Sequence, residues 1–515
     1  MTKNSKIYAR NLFANWFGHG ADMLIMFFLS PFVVEKLGAV EYGIWSLLTV
    51  LTGYMGILDL GVRASTGRYI ILYLGKEDYE KTDETIRSGL GFYSIIGLVI
   101  LLIGIVLGLF FQDIFQAVPK EYNTIVNILL PVMAVNVWFS AVRAVFSSIL
   151  VAHDRFDIAR IIDVSVLIFR AAGTVIILIW GHGIAGLTFV VVAANILGML
   201  ANGLMSKKIY SRFRFWPLSM KRERIRELLG YGTSAFISSV SFKITGQTDM
   251  VVVGAFISVQ AVTVYSVGAM MVFYSTTFIG LIGNTFFPPV QRAAARNDMD
   301  EVRWLFFRQL RLGLLFGLPL YIGFIVYAEP FIRLWMLSPS FPESSVKTAA
   351  LVMLILSGSR LFYLFTLGSN EILAAIGYVH FNAALAATEA VVNISLSLFF
   401  VLYMDWGLLG VAGGTLVSRA LIKTAILPWY ACRKAGMDFS KFIVHIGLTG
   451  SFAIVLFWGA CILVDRFIGD QTWSLFWLQV FTSIIFYIPI AFFILLPADY
   501  RRKILDNLTG HLKKN

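Results

Sequence analysis

Fourteen apolar stretches follow one another along this chain with short polar breaks between them, and that succession leaves little choice of fold. They fall at roughly 11–34, 42–73, 89–111, 122–152, 160–180, 184–206, 228–257, 261–290, 311–328, 347–375, 382–403, 408–430, 442–464 and 473–496. An α-helix rises about 1.5 Å per residue, so about twenty apolar residues cross the roughly 30 Å hydrocarbon core of a bilayer. In lipid every backbone polar group needs a partner within the protein, and a helix supplies one segment by segment. The expected fold class is an all-α integral membrane protein with fourteen transmembrane helices. Only 14% of the 515 residues are charged and mean hydropathy is +0.78, against about 25% charged in an ordinary soluble domain.

The formal charge of +12 would suggest nucleic acid in a soluble protein. Here it is expected in the loops of one membrane face, with no nucleic-acid partner. Cys432 and Cys461 lie in or beside apolar stretches, which indicates neither a disulfide framework nor a metal cluster. The basic start MTKNSKIYAR precedes an apolar run that His19 and Asp22 interrupt and that reaches Val34. No small-residue cleavage site follows, so a retained first helix is expected.

Loop charge sets the orientation. Alternate loops, counted from the N-terminus, hold 29 Lys and Arg, eight of them between Lys207 and Arg226. The opposite loops hold five: Lys36, Lys120, Arg333, Lys347 and Arg466. Both termini are therefore expected in the cytoplasm.

Internal repeats divide the chain. Gly75–Glu80 (GKEDYE) resembles Ala295–Asp300 (ARNDMD) 220 residues on. Ile149–Ala152 matches Ile372–Ala375 at 223, and Gly183–Gly186 matches Gly407–Gly410 at 224. Slowly drifting offsets are what a duplication with small insertions leaves. Six helices per repeat is an even number, so the halves keep one orientation, as parallel repeats about an axis along the membrane normal do. The expected organisation is an N-lobe over 1–206 (helices one to six) and a basic cytoplasmic linker over 207–227. A C-lobe over 228–431 (helices seven to twelve), a C-terminal hairpin over 442–496 (helices thirteen and fourteen) and a basic cytoplasmic tail over 497–515 follow.

Leu37-Gly38, Glu41-Tyr42-Gly43 and Asp59-Leu60-Gly61-Val62-Arg63 form a spaced pattern. The pattern resembles the LG…EYG…DLGxR signature in the second helix of the polysaccharide-transport (Wzx-type O-antigen and exopolysaccharide) flippases. These belong to the multidrug/oligosaccharidyl-lipid/polysaccharide exporter superfamily. Two six-helix lobes, a basic linker and an extra hairpin are that superfamily's MATE-like layout, so the resemblance covers nearly the whole chain. It implies translocation of an undecaprenyl-diphosphate-linked oligosaccharide from the cytoplasmic to the outer leaflet of the bacterial plasma (inner) membrane, by alternating access. From the residues alone, the stretch reads as a glycine turn from Gly38 to Gly43 and then a continuous helix of about thirty residues. Asp59 and Arg63, spaced i, i+4, share a face, as a structural pair or toward a polar interior. Arg68 snorkels to the headgroups.

Eight cations lie inside the apolar stretches: Arg63, Arg68, Arg143, Arg170, Lys243, Arg360, Arg419 and Lys423. The acids there are Asp22, Asp59, Asp163, Asp249, Glu371 and Glu389, two fewer. Charges at the bilayer centre cost roughly 2.5–3.5 kcal/mol each on insertion scales, so a hydrated electropositive cleft between the lobes is expected. Its ligand would be an anion, and the guanidinium fork fits phosphate. The candidate pyrophosphate contacts are Arg63, Arg143, Lys243, Arg360, Arg419 and Lys423. Arg419 and Lys423, spaced i, i+4, repel unless an anion or carboxylate sits between them, or unless Lys423 snorkels. The aligned position in the first half is Asn195. Arg170 is expected to pair with Asp163 two turns earlier, whereas Arg143, Lys243 and Arg360 have no acid at i±3 or i±4.

Some relatives that flip the peptidoglycan lipid precursor bind sodium among helices seven, eleven and twelve. That resemblance points to Asp249, Glu389, Asn393 and Thr415, although the order of residue types differs and salt bridging of Asp249 to Lys243, or of Glu389 to Arg419, is the alternative. Asp22, with His19 one turn away, is a further proton-site candidate. No cofactor is expected beyond a coupling ion, Na+ or H+. Tyr265, Phe273, Tyr274, Phe362, Tyr363 and Phe365 are placed to stack on sugars. Trp473, Phe476 and Trp477 read as an interfacial girdle.

GxxxxGK[ST], HExxH, CxxC and GxSxG are absent from the sequence, and no bond-making activity is expected. The partners implied are a lipid-linked oligosaccharide, membrane lipids and polysaccharide polymerase or synthase machinery. Competing readings are a multidrug extruder, a peptidoglycan lipid-precursor flippase and a non-transporting membrane partner of a polysaccharide synthase. Organic cations, the usual multidrug cargo, fit poorly with an excess of intramembrane Arg and Lys.

Overall fold

A computed structural model describes the backbone of residues 3–212, 220–469, 472–496, 500–502 and 506. Within these, side chains 3–19, 21–22, 231–239, 241–242, 244–245, 284, 379 and 425 are not described. The described chain is helical apart from turns and one two-residue bridge between Ser338 and Phe341. Its long helices are α1 (Lys3–Met55), α2 (Val62–Gly75), α3 (Tyr79–Leu109), α4 (Asn123–Ala152), α5 (Phe156–Ile179), α6 (Gly183–Ile209) and α7 (Arg222–Phe256). They continue as α8 (Val259–Ala295), α9 (Met299–Val326), α10 (Glu343–Leu364), α11 (Val379–Leu402), α12 (Gly407–Lys434), α13 (Thr449–Phe467) and α14 (Trp473–Ile490). Among the described residues, twelve helical spans are long and apolar enough to cross a membrane. Each of the fourteen expected stretches falls on helix, with breaks inside two of them, 42–73 and 347–375.

Lipid acts as solvent for the outer faces. On α3, Leu98, Leu102 and Leu109 are all more than 60% exposed. The opposite face carries Gly104 and Gly108, whose missing side chains let α4 approach: a methyl on Gly104 would lie 2.6 Å from Ala134 Cβ. This is small-residue packing between membrane helices.

The duplication is visible in the turns. Glu77 and Asn297 adopt φ of 58° and 57°, 220 residues apart, and the next residue in each case caps a helix. Asp78 Oδ1 accepts from Lys81 N–H and Asp298 Oδ1 from Glu301 N–H. Asp154 (57°) and Gly377 (89°) recur at 223; Gly181 (80°) with Asp405 (55°), and Gly183 with Gly407 (both 51°), recur at 224. Left-handed residues are rare outside glycine, so their matched recurrence carries more weight than the side-chain matches did.

By its contacts the chain forms two compact units, Met1–Thr263 and Val264–Asn515. α7 packs on the first of them, where Tyr54 Oη lies 2.7 Å from Thr248 Oγ1 and Leu47 fills the space at Gly254. At its start Arg224 reaches Tyr73 Oη (2.6 Å) and Glu227 (2.5 Å), and Lys221 reaches Glu84. In the second unit α11 and α12 meet most closely, where a methyl on Gly414 would lie 2.4 Å from Ser397 Oγ. α13 and α14 rest on α9: Tyr487 Oη donates to Leu315 O (2.9 Å) and Tyr327 Oη lies 2.7 Å from Ser483 Oγ. Phe476, expected in the girdle, is buried against Tyr327 and Phe331, while Trp477 stays exposed.

The signature residues shape the first unit. Gly38 alone makes the corner in α1 (φ 72°, ψ 173°), and the helix resumes at Ala39, so the expected turn over Gly38–Gly43 contracts to one residue. Glu41 reaches across to the start of α6 and accepts from Ile184 N–H at 3.2 Å, one of the four amides a helix leaves unpaired there. Glu41→Ala is expected to cost about 1 kcal/mol as a lost cap, measured as a lower melting temperature of the purified protein, with Glu41→Asp intermediate. Gly43 lies directly against the Val259 carbonyl.

Candidate functional site

The expected continuous helix over 42–73 is broken. α1 ends at Met55, a 3-10 turn covers Gly56–Asp59, and Leu60 (φ 50°) and Gly61 (φ 76°) are left-handed before α2 begins. Gly61 supplies that conformation without strain, and Leu60 bears the cost of an unusual φ. Asp59 therefore does not face Arg63 across a helical turn. Its Oδ1 accepts from the Arg63 backbone N–H (3.3 Å) at the new helix start and from Tyr93 Oη on α3. From α7, Lys243 Nζ donates to Gly53 O at 2.5 Å, in the last turn of α1, where carbonyls lose their helical partners. A methyl on Gly56 would sit 2.8 Å from that ammonium. Arg63 and Asp59 are the charges acting on Lys243, so two predicted contacts, Arg63 and Lys243, share one break. Irregular backbone in a membrane persists where it is enclosed by protein or lines a cavity, and broken helices are where transporters place ion and substrate contacts.

In the second unit the charges converge on Glu389 of α11, which is fully buried. Arg419 Nε lies 3.2 Å from Glu389 Oε1, and Lys423 Nζ 2.6 Å from Oε2. The carboxylate thus resolves the i, i+4 repulsion on α12. Arg360 of α10 is close enough to Arg419 for mutual repulsion and lies beside Tyr321 and Tyr363. Among the described residues, Arg360, Arg419 and Lys423 thus gather about Glu389. Arg360 Nε and Arg419 Nη1 are buried with no hydrogen-bond acceptor among the described residues. An unmade hydrogen bond of this kind costs about 1–3 kcal/mol, more for a charged donor. The arrangement suits an acceptor-rich anion.

The third group lies in the first unit. Arg143 Nη2 is 2.5 Å from Asp163 Oδ1, and Arg160 Nη1 is 3.8 Å from Oδ2. With Arg170 and Asn195 they line a cavity of about 250 Å3. Arg143, which has no acidic partner on its own helix, gains one from α5. Arg160, at the very edge of its apolar stretch and so expected among the loop cations, belongs to α5, which begins four residues earlier, and to the cavity.

The remaining candidates are separate. Asp249 is buried beside Tyr54 in the first unit. Asn393 Nδ2 donates to Thr415 Oγ1 (2.8 Å) in the second. Asp22 and His19 lie on α1 but their side chains fall outside the described residues. Of the aromatics, Tyr363 lies beside Arg360, Tyr265 is buried, and Phe273 is exposed. Tyr93 and Tyr321 were missed, because nothing local distinguishes a tyrosine that meets a charge on another helix.

Comparison with known proteins places the chain in a family. The family described as "Polysaccharide biosynthesis protein" matches residues 37–345, more than half of the chain. The "Uncharacterized membrane protein EpsK" of Bacillus subtilis (strain 168) is 21% identical over 507 residues, covering 96% of this chain and 97% of that one. The "Putative O-antigen transporter" of Shigella flexneri is 22% identical over 433 residues, covering 82% and 97%. Among solved structures, the lipid II flippase MurJ in an inward closed conformation aligns with a TM-score of 0.70 at 15% identity, covering 96% of this chain and all of that one. An inward-facing multidrug resistance MATE family transporter of the MOP superfamily aligns at 0.68 and 16% identity, covering 80% and 94%. With a family match over most of its signature-bearing half and a shared architecture along its length, the chain belongs to the polysaccharide biosynthesis protein family and is a multi-pass membrane protein with the fold of the multidrug/oligosaccharidyl-lipid/polysaccharide exporter superfamily of transporters.

Proposed function

We propose that the protein is a flippase that moves an undecaprenyl-diphosphate-linked oligosaccharide from the cytoplasmic to the outer leaflet of the bacterial plasma membrane. Both termini are cytoplasmic in this reading, transport proceeds by alternating access, and no bond is made or broken. The observation that carries it is the two buried guanidinium nitrogens, Arg360 Nε and Arg419 Nη1, that have no acceptor among the described residues, beside Lys423 and the Glu389 carboxylate. A diphosphate offers several anionic oxygens to such donors, and Arg meets them bidentately. Glu389 acts as the resting counter-ion: the cargo's diphosphate competes with it for Arg419 and Lys423, and release returns both cations to the carboxylate. Arg63 and Lys243 at the helix break, and Arg143, are further candidate anion contacts, within the first unit. Coupling to Na+ or H+ belongs to the proposal, with Asp22, Asp249, Glu389, Asn393 and Thr415 as the oxygen ligands or proton carriers.

Reconstitution tests it. The purified chain in proteoliposomes is expected to translocate a fluorescent diphosphate-linked oligosaccharide and to leave a cationic dye where it is. Dye transport without glycan transport would mark a multidrug extruder and end the proposal.

A further inference from the structure

A cavity of about 300 Å3 on the flank of the first unit is lined by α3, α4 and α6. Trp138, Val142 and Phe146, spaced i, i+4, i+8, turn one face of α4 along it, and Met199, Gly203 and Lys207 do the same on α6. Ser206 Oγ donates to Phe146 O at 2.8 Å, which sets the ends of the two helices level. Glycines open the space. Phe146 packs over Gly203, where a methyl would lie 3.2 Å from its ring, and Trp138 is drawn onto Gly97 of α3, where a methyl would lie 2.4 Å from it. Ser94 Oγ, on the α3 wall, donates to Leu90 O of its own helix, so the walls offer a ligand almost nothing polar. The outer edge is Leu200 and Leu204, the latter 67% exposed, on a face that lipid solvates. Lys207 stands at one end of the cavity, in the last turn of α6, exposed and with no ion pair among the described residues.

We infer that this cavity holds one acyl chain of an anionic phospholipid, with the lipid's phosphate on Lys207. From Trp138 to Phe146 it runs about 12 Å at the helical rise, close to one leaflet of a roughly 30 Å hydrocarbon core. A chain lying along α4 and α6 therefore reaches Trp138 while its head stays level with Lys207, at the membrane face that the basic loops share. A chain that leaves bulk lipid for the cavity gains no hydrophobic free energy, so the fit between the rings and the charge at the mouth decide which lipid stays. A soluble anion finds only one exposed ammonium here, and a sugar finds few hydrogen-bonding groups along the walls. The site is independent of the cargo: its residues belong to neither the Glu389 cluster nor the helix break.

Native mass spectrometry of the full purified chain tests this with dioleoylphosphatidylglycerol, dioleoylphosphatidylcholine and, as a head without chains, glycerol 3-phosphate. The wild type is expected to retain phosphatidylglycerol over phosphatidylcholine. Lys207→Gln should weaken phosphatidylglycerol about fivefold, which is roughly 1 kcal/mol for one basic side chain at a headgroup, and Lys207→Arg should restore it. Lys208→Gln removes the neighbouring charge, which does not line the cavity, and should leave retention unchanged. Both lysines are exposed, so neither change disturbs packing. Ser94→Phe fills the cavity from α3 and should weaken the same lipid with both lysines intact. Equal losses in Lys207→Gln and Lys208→Gln would reduce the effect to general surface charge and overturn the site, as would equal retention of phosphatidylcholine. Displacement of the lipid by millimolar glycerol 3-phosphate, or a silent Ser94→Phe, would take the chain out of the cavity and overturn the lipid assignment.

Discussion

Arg360→Gln is expected to slow translocation of the diphosphate-linked oligosaccharide by about two orders of magnitude while the protein still inserts and purifies. Arg360 lies among buried groups, repelled by Arg419 and with no acceptor for Nε among the described residues, so the folded protein gains little from its charge. The gain comes when an anion arrives. Losing one member of a buried charge contact costs about 2–5 kcal/mol, and two orders of magnitude lie inside that range. The neutral variant should, if anything, be the more stable protein in detergent, because replacing an uncompensated buried cation removes a penalty. A structural role predicts the reverse pairing: lower stability and unchanged specific activity. Arg360→Lys should recover part of the rate, since charge survives and the fork does not. Arg333→Gln serves as a control, because Arg333 is 43% exposed between Glu329 and Glu343 and such pairs contribute about 0–1 kcal/mol. Glu389→Gln should act in the opposite sense on binding: Arg419 and Lys423 lose their resting partner, the diphosphate is held more tightly, and turnover falls because release slows. Initial rates and equilibrium retention of the labelled lipid, measured on the same preparations, separate the two variants. Unchanged rates in Arg360→Gln would refute the assignment of this cluster to cargo.

Gly43→Ala is expected to remove most of the folded protein from the membrane. The added methyl would lie 2.1 Å from the Val259 carbonyl oxygen, and that oxygen belongs to backbone that cannot swing aside as a flexible side chain can. The second arm of α1 would have to move away from the start of α8 to relieve the clash. Forced overpacking of this kind costs about 1–3 kcal/mol and sometimes more, and total stability is only about 5–15 kcal/mol. Gly459→Ala provides the contrast. Gly459 is on α13, and a methyl added there would meet nothing within 4 Å, so the change should be neutral or stabilising by about 0.5–1 kcal/mol through helix propensity. Detergent-solubilised yield and melting temperature, compared across both variants, give the answer. Equal yields would mean that the contact at Gly43 is slack and that the glycine in the signature serves some other purpose.

Much of the architecture was legible beforehand. The fourteen apolar stretches fall on helix because solvation by lipid is a property of each segment alone. The duplication was legible too, since turns carry local chemistry: GKEDYE and ARNDMD reappear as the same left-handed residue followed by the same aspartate cap. The break at 56–61 was not. Gly56, Ile57, Leu58 and Leu60 keep the hydropathy of a membrane helix, and only the spacing of Gly53, Gly56 and Gly61 hinted that the backbone stops there. Likewise the signature glycines and acids were visible as a pattern, but their work as corner, cap and contact depends on α6, α3 and α8 being where they are.

The charged site divides along the same line. Sequence by itself determined that this is a helical membrane protein built from a repeat and that cations outnumber acids within its apolar stretches, because composition and short-range periodicity need no knowledge of neighbours. Only the tertiary structure decided which cation meets which carboxylate. Arg143 finds Asp163 twenty residues away, Arg419 finds Glu389 thirty away, and Tyr93 finds Asp59 thirty-four away, each on another helix. Helical spacing reports on residues three or four apart, while a buried charge is settled by whatever the packing brings within a few ångströms of it.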